Sequence, residues 1–462
     1  MNTKRKIKST LHSEAKPQFL RWVMATLGLV IAVGFAVTAE VQAATINVPA
    51  DYATIQLAAD AAASGDTIMI APGDYTGAMI FTTVKIVGSG PSTRITTGVG
   101  SWGDGLVIEG AADTEISNLA IELTDPLNPM CAGVTIAFAN NCTVRDLQIT
   151  AGYGVFCPFS DNVVVSDNEI SGTPFVGINA FLSNNFVASG NTITGPVERG
   201  IWETDSDNVK ITNNTITGEM WHAIHCEWLS NSVISRNTID RVMSPPDHPW
   251  WNGAIAVDRS TNCTVQGNTI SGQGRSAIHL WDTDDSIIIG NDCSGYAANW
   301  GGEMIPVGEQ GLCQMWFGRN SDRNKVSGNI WGSVPSNGVA VVFVSSSHSP
   351  SSNLDILEND YRRCGVPGWT STDGPGCVLL ANGTQDSFVF ESGNFPPGTG
   401  GAMNQVLDLT KELTGSTTNR VIGHPASFLV EGLNPGVGKR LQEIMDQLDA
   451  LPEPVAEEAI KP

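Results

Sequence analysis

The chain has 462 residues, with 25 Lys and Arg against 47 Asp and Glu, a formal net charge of -22. So acidic a chain lacks the counterion-releasing basic surface of a nucleic-acid binder, and it repels an anionic polymer except where cations gather locally. A hydrophobic content of 41% argues for a packed core rather than disorder, and 49 glycines without a collagen period point to many tight turns.

The chain opens with Lys4, Arg5, Lys6, Lys8, Lys16 and Arg21, then an apolar run from Trp22 to Ala39 and the small residues of Val-Gln-Ala-Ala. This order predicts a signal peptide over residues 1–43 and a secreted or periplasmic mature protein with no membrane attachment after cleavage. The alternative is an uncleaved anchor, because the apolar run is somewhat long. Residues 44–100 are expected to form an N-terminal cap and the first coils, with an amphipathic helix over about Tyr52 to Ala63.

From there one period runs down the chain. Phrases such as Ala-Ser-Gly-Asn-Thr-Ile-Thr-Gly recur, placing Asn168, Asn191, Asn214, Asn237, Asn268 and Asn291 at spacings of 23, 23, 23, 31 and 23. Leu119 and Leu147 take the same slot earlier, and Asn329, Asn359 and Asn394 later. Val155, Ile178, Ile201, Ile224, Ile255 and Ile278 each lie 13 residues before the Asn of their own repeat. Each unit holds short alternating stretches between polar turns, so it needs stacking to bury its apolar face. The aligned Asn side chains are expected to form a hydrogen-bonded ladder at a tight turn. Of the nine cysteines, Cys157, Cys226 and Cys293 fall where the repeat places small core residues, while Cys364 and Cys377 are candidates for a bridge.

This pattern, with the opening Ile-Asn-Val-Pro-Ala-Asp-Tyr-Ala-Thr-Ile-Gln, resembles the pectate-lyase-like superfamily and its right-handed β-helix repeat proteins. The resemblance implies an all-β, right-handed parallel β-helix (a solenoid with an asparagine ladder) over residues 101–400. Residues 401–462 are expected to be a C-terminal cap or helical tail, with Leu441, Ile444, Met445, Leu448 and Leu451 at helical spacing over 436–451. The signature motifs of polygalacturonase-like hydrolases, calcium-dependent pectate lyases and alginate epimerases are not matched, so no functional residue carries over from them.

The register predicts which side chains point outward. One outward row runs Phe156, Asn179, Trp202, His225, Ala256 and His279, and a second runs Pro158, Phe181, Thr204, Glu227, Asp258 and Trp281. Between them an inward row runs Cys157, Ala180, Glu203, Cys226, Val257 and Leu280, with Glu203 expected to escape the interior at the strand end. Four of the seven histidines lie between 222 and 279, and six of the twelve tryptophans between 202 and 281. An insertion carrying His248 and Trp250 enters among them, as binding loops do on regular scaffolds.

These residues predict a solvent-facing groove for a polysaccharide, walled by the loop from Met243 to Asn252. Trp202, Trp281, His248 and Trp250 would contact sugar, and Arg199 and Arg275 would hold a carboxylate. His225 or His279 would carry protons, and Glu227 with Asp258 would bind calcium or act as an acid and nucleophile pair. The leading expectation is lyase- or epimerase-type proton abstraction at a uronate. The alternatives are a non-catalytic polysaccharide-binding or structural protein, and a glycoside hydrolase using Glu227 and Asp258.

Overall fold

The computed structural model describes residues 43–123, 130–195, 198–243, 253–298, 313–334, 341–344, 351–361, 364, 378–380, 383–391, 406–408 and 416–423. The expected signal peptide, His248, Trp250, Cys377, Asn394 and the helix over 436–451 lie outside the described residues.

The described residues wind into a right-handed parallel β-helix of three sheets, with 15, 13 and 10 strands. A complete coil contributes one strand to each sheet, so sequence neighbours in a sheet are one repeat apart. Among the described residues the 10-stranded sheet ends at Asp292–Ala298 while the other two run on. The stack begins at Thr45–Val48 and continues past residue 400, through Val406–Asp408 and Arg420–Gly423.

The helix expected near the start is α1, Ile55–Ala61. Thr54 caps it by accepting from the Leu57 N–H at 3.2 Å, and Ile55, Ala58 and Ala59 are buried. An amphipathic helix on the first coils covers an edge that would otherwise be free to pair.

The asparagine ladder forms as the repeat predicts. Asn168 Nδ2 donates to Asn191 Oδ1 at 2.9 Å, and the pattern continues through Asn214, Asn237, Asn268 and Asn291 to Asn329 and Asn359. Leu147 ends it, its backbone N–H donating to Asn168 Oδ1 at 3.0 Å. Tight turns elsewhere recruit Asn and Asp for their tolerance of left-handed φ, as at Asn162, Asn185 and Asn208, whose side chains form a second, exposed ladder. Cys157, Cys226 and Cys293 are buried in the core, as expected.

The candidate site rides on the 13-stranded sheet. Its strands here are β1 (Tyr153–Pro158), β2 (Val176–Phe181), β3 (Arg199–Thr204), β4 (His222–Glu227), β5 (Gly253–Asp258), β6 (Ser276–Trp281) and β7 (Met315–Gly318). Pairing aligns Phe156, Asn179, Trp202, His225, Ala256, His279 and Trp316 in one row. It also aligns Pro158, Phe181, Thr204, Glu227, Asp258 and Trp281 in another.

Candidate functional site

The two outward rows do not lie open to solvent as expected. His225 is 8%, His279 1% and Trp281 4% exposed. The reason is lateral packing, since at one strand spacing large rings in one row cover one another. Trp202 stacks on His225 with centroids 6.3 Å apart, His279 packs on Trp316 at 5.7 Å, and Trp281 meets Trp316 edge-on at 5.6 Å.

β5 is small at these positions, carrying Gly253 between His222 and Ser276 and Ala256 between His225 and His279. His222 and His225 on one side and His279 on the other close over these small residues. Ring centroids are 4.7 Å apart for His222 and His225, and 5.9 Å for His222 and His279. Asp258, at the end of the same strand, takes both flanking imidazoles. Its Oδ2 lies 3.1 Å from His225 Nε2 and its Oδ1 3.0 Å from His279 Nε2. Burial acts to raise the pKa of this carboxyl, but electrostatic attraction to His279 and hydrogen bonds from both rings outweigh it and hold the carboxyl well below the usual range.

The partners fix the tautomers. Arg199 Nε donates to His225 Nδ1 at 3.1 Å, and a guanidinium cannot accept, so Nδ1 is unprotonated and Nε2 carries the hydrogen toward Asp258. His222 Nδ1 lies 2.9 Å from the Gly253 carbonyl, which only accepts, so this nitrogen is protonated and Nε2 holds the lone pair. Burial, with His225, His279, Arg199 and Arg241 adding to it, pushes the His222 pKa well below the imidazole range. His279 gives its Nε2 hydrogen to Asp258, and its buried Nδ1 makes no hydrogen bond. Both ring nitrogens of His225 are thus engaged, and one of His279 is uncommitted.

The arginines and Glu227 are placed differently from expectation. Arg199 Nη1 pairs with Glu198 at 2.5 Å, and the guanidinium sits 4.3 Å over the Trp202 ring and 5.7 Å from that of Trp221. Arg275 is buried 4.8 Å over the Trp316 ring, and burial lowers its pKa to about 10. Glu227 pairs with Arg259, whose guanidinium also lies 5.3 Å over the Trp228 ring. Arg259 follows Asp258 at positive φ, a turn position outside the alternating strand pattern, which is why the outward rows do not reveal it. His222 and Ser276 lie one residue ahead of the Gly/Ala-Ile phrase and were likewise outside both rows. Glu203 does not escape the interior: it is fully buried, neither oxygen makes a hydrogen bond of normal geometry, and burial pushes its carboxyl well above the usual range, opposed in part by Ser206.

With each carboxylate held by cations or imidazoles, calcium gains no support at Glu227 and Asp258. Among the described residues no group of three or more His, Cys, Asp and Glu is arranged to hold a metal ion.

Residues 78–244 match the model of a family described as periplasmic copper-binding protein (NosD). A search of the curated proteins finds no match. Among solved structures, the DFA-IIIase of Arthrobacter chlorophenolicus A6 without its lid is 12% identical with a TM-score of 0.51, covering 82% of this chain and 99% of that chain. The A-module of the Azotobacter vinelandii mannuronan C-5 epimerase AlgE6 is 15% identical with a TM-score of 0.49, covering 80% and 94%. The surface adhesin PfbA of Streptococcus pneumoniae is 12% identical with a TM-score of 0.43, covering 69% and 92%. The first of these likenesses shows fold alone, and with its three parallel sheets the chain is a right-handed parallel β-helix protein. The family's description is periplasmic, in accord with the secreted or periplasmic location expected from the N-terminus.

Proposed function

We propose that this β-helix protein is a carbohydrate-active enzyme that abstracts a proton from a polysaccharide uronate, leading to elimination or epimerisation. The observation that carries the reading is the Asp258–His279 pair. A carboxylate fixes one imidazole tautomer and leaves the other nitrogen, Nδ1, as an uncommitted base. His225 is an orienting group rather than the base, because Arg199 and Asp258 occupy both of its nitrogens.

An anionic sugar is supported by Arg275, stacked 4.8 Å over Trp316 on this face of a chain whose net charge is -22; Arg199 and Arg259 are already paired with Glu198 and Glu227. Hydrolysis by Glu227 and Asp258 is disfavoured, since that chemistry needs one carboxyl protonated, whereas Asp258 is held strongly ionised and Glu227 is ion-paired to Arg259. Copper, which the matched family's description suggests, fits poorly. Nε2 of both His225 and His279 faces Asp258, leaving no convergent metal-binding set among the described residues.

The test is incubation of the mature protein with alginate, polygalacturonate and a neutral glucan in D2O, with and without calcium. The expected result is unsaturated-uronate absorbance, or deuterium at the carbon beside the carboxylate, on a uronate polymer. Reducing ends without either signal would establish hydrolysis instead, and binding with no turnover would establish a binding protein.

A further inference from the structure

Two buried polar atoms beside Gly253 are not accounted for by the fold. Ser276 and His279 are each 1% exposed, and Ser276 Oγ and His279 Nδ1 make no hydrogen bond. Leaving such groups unpaired forfeits the hydrogen bonds they make in water, so native proteins rarely keep them without a ligand, water or catalytic reason. They are also neighbours. A Cβ built on Gly253 would lie 2.6 Å from His279 Nδ1 and 3.3 Å from Ser276 Oγ. The glycine is therefore what lets the imidazole settle here, since any side chain would drive it off.

We propose that Ser276 and His279 together seat one proton-bearing oxygen, through which His279 exchanges its proton with the reacting group. The chemistry of the two atoms selects the ligand. In the neutral ring that acts as the base, His279 Nε2 carries the hydrogen given to Asp258, so Nδ1 accepts and the ligand donates. A carboxylate or other anion without a proton cannot do so, whereas water and a sugar hydroxyl can. Ser276 Oγ can donate to the same oxygen or accept from it, which fixes its position. The uronate carboxylate consequently binds elsewhere on the face.

The transfer balances without any further reactant. The seated oxygen gives its proton to His279 Nδ1 as it takes one from the substrate, so one O–H and one C–H bond break while one N–H and one O–H bond form. The electron pair of the C–H bond stays with the substrate carbon. This step rests on the proposed proton abstraction, while the seat itself does not.

A high-resolution crystal structure of the mature protein tests the seat, with and without mannuronate and galacturonate oligosaccharides. The expected result is one oxygen within hydrogen-bond distance of both Ser276 Oγ and His279 Nδ1. If it is present without sugar the source is water, and if it appears only with sugar the source is a substrate hydroxyl. In Ser276→Ala the oxygen should be lost or displaced. Where the wild type turns over a uronate polymer, kcat in Ser276→Ala should fall at least tenfold with KM little changed and the unfolding midpoint retained. Ser276 bonded directly to a protein carbonyl with nothing on Nδ1, or a metal ion at this point, would overturn the seat. An occupied seat with unchanged Ser276→Ala kinetics would overturn the transfer role. No wild-type turnover on any uronate polymer would overturn the proposed reaction, and the transfer with it, while the crystal structure still decides the seat.

Discussion

Asp258 and His279 stand on adjacent coils, and the carboxylate Oδ1 meets the imidazole Nε2 at 3.0 Å although the two residues are 21 positions apart in the chain. A parallel stack makes this meeting routine, because residues one repeat apart become nearest neighbours. Here it joins a strongly ionised carboxylate to an imidazole whose buried second nitrogen is uncommitted.

Replacing Asp258 with Asn should therefore change a tautomer rather than merely remove a charge. Arg199 keeps His225 as an Nε2–H donor, so the Asn carbonyl oxygen must face His225. The Asn amide then points its N–H toward His279, whose Nε2 must accept, moving the ring hydrogen to Nδ1. Turnover should fall about 10²–10⁴-fold, the usual contribution of a positioned base. The two-bond 1H–15N spectrum of His279 should show the exchanged tautomer, and an unchanged spectrum would refute the assignment. The native value for Asp258 lies below its ordinary 3.8, so its contribution to stability is present above that pH and is lost as pH falls below it. The variant should lack this acid-dependent loss.

Glu203 gives a pH dependence of the opposite sign. Its native pKa is raised above the ordinary 4.5 by burial. Folding thus holds a proton that the unfolded chain releases, and stability falls as pH rises above about 4.5. Glu203→Met, which fills a similar volume without a carboxyl, should flatten this fall and raise stability at pH 8 by about 1–3 kcal/mol, the scale of an unpaired buried polar group. Urea unfolding at pH 4, 6 and 8 measures it. Parallel curves for variant and wild type would show that Glu203 is hydrated or paired in solution.

The ladder should behave as a cooperative element. Asn214 donates through Nδ2 to Asn237 Oδ1 and the Ala188 carbonyl, both at 3.0 Å, and its Oδ1 accepts from the backbone and side chain of Asn191. Asn214→Leu leaves donors on Asn191 unmatched and takes the side-chain donor from the Ala188 carbonyl, while the backbone N–H at 214 still serves Asn237 Oδ1, and should cost about 1–3 kcal/mol. Leu147 shows that the slot accepts leucine at the ladder's end, where only one side has an amide to satisfy. An unchanged unfolding midpoint for Asn214→Leu would show that the ladder contributes nothing.

The fold was legible because one repeat dictates it. The 23-residue spacing of the Asn slot and the aligned Val and Ile positions set the register, and every pairing across Trp202, His225, Ala256 and His279 follows from it. The site was legible to the level of rows. Strand alternation finds His225, Asp258 and His279 together, but not what each ring nitrogen touches. Burial was misjudged at Trp281 and His279 because alternation says which way a side chain points, not whether its neighbours cover it. Glu203 was misplaced for a related reason: an ionisable residue at an inward position suggests a strand end, yet β3 runs on to Thr204. Arg259, His222 and Ser276 sit at turn and edge positions, where a period-two pattern carries no information.

Arg199 offers the sharpest separation of charge from geometry. Sequence alone casts it as a ligand for a substrate carboxylate, whereas its Nε serves His225 and its Nη1 serves Glu198. Lysine at this position keeps a cation beside Glu198 but lacks the planar fork that reaches both partners at once. Arg199→Lys should therefore release His225 Nδ1, and the single Nε2–H form of His225 should give way to a mixture visible in its 1H–15N spectrum. With His225 free to rotate, Asp258 loses one of its two fixed donors, and turnover should fall by up to about 10²-fold through misplacement of the catalytic pair. If the lysine variant instead raises KM for a uronate polymer and leaves both the His225 spectrum and kcat unchanged, Arg199 binds the substrate carboxylate and does not position the imidazole.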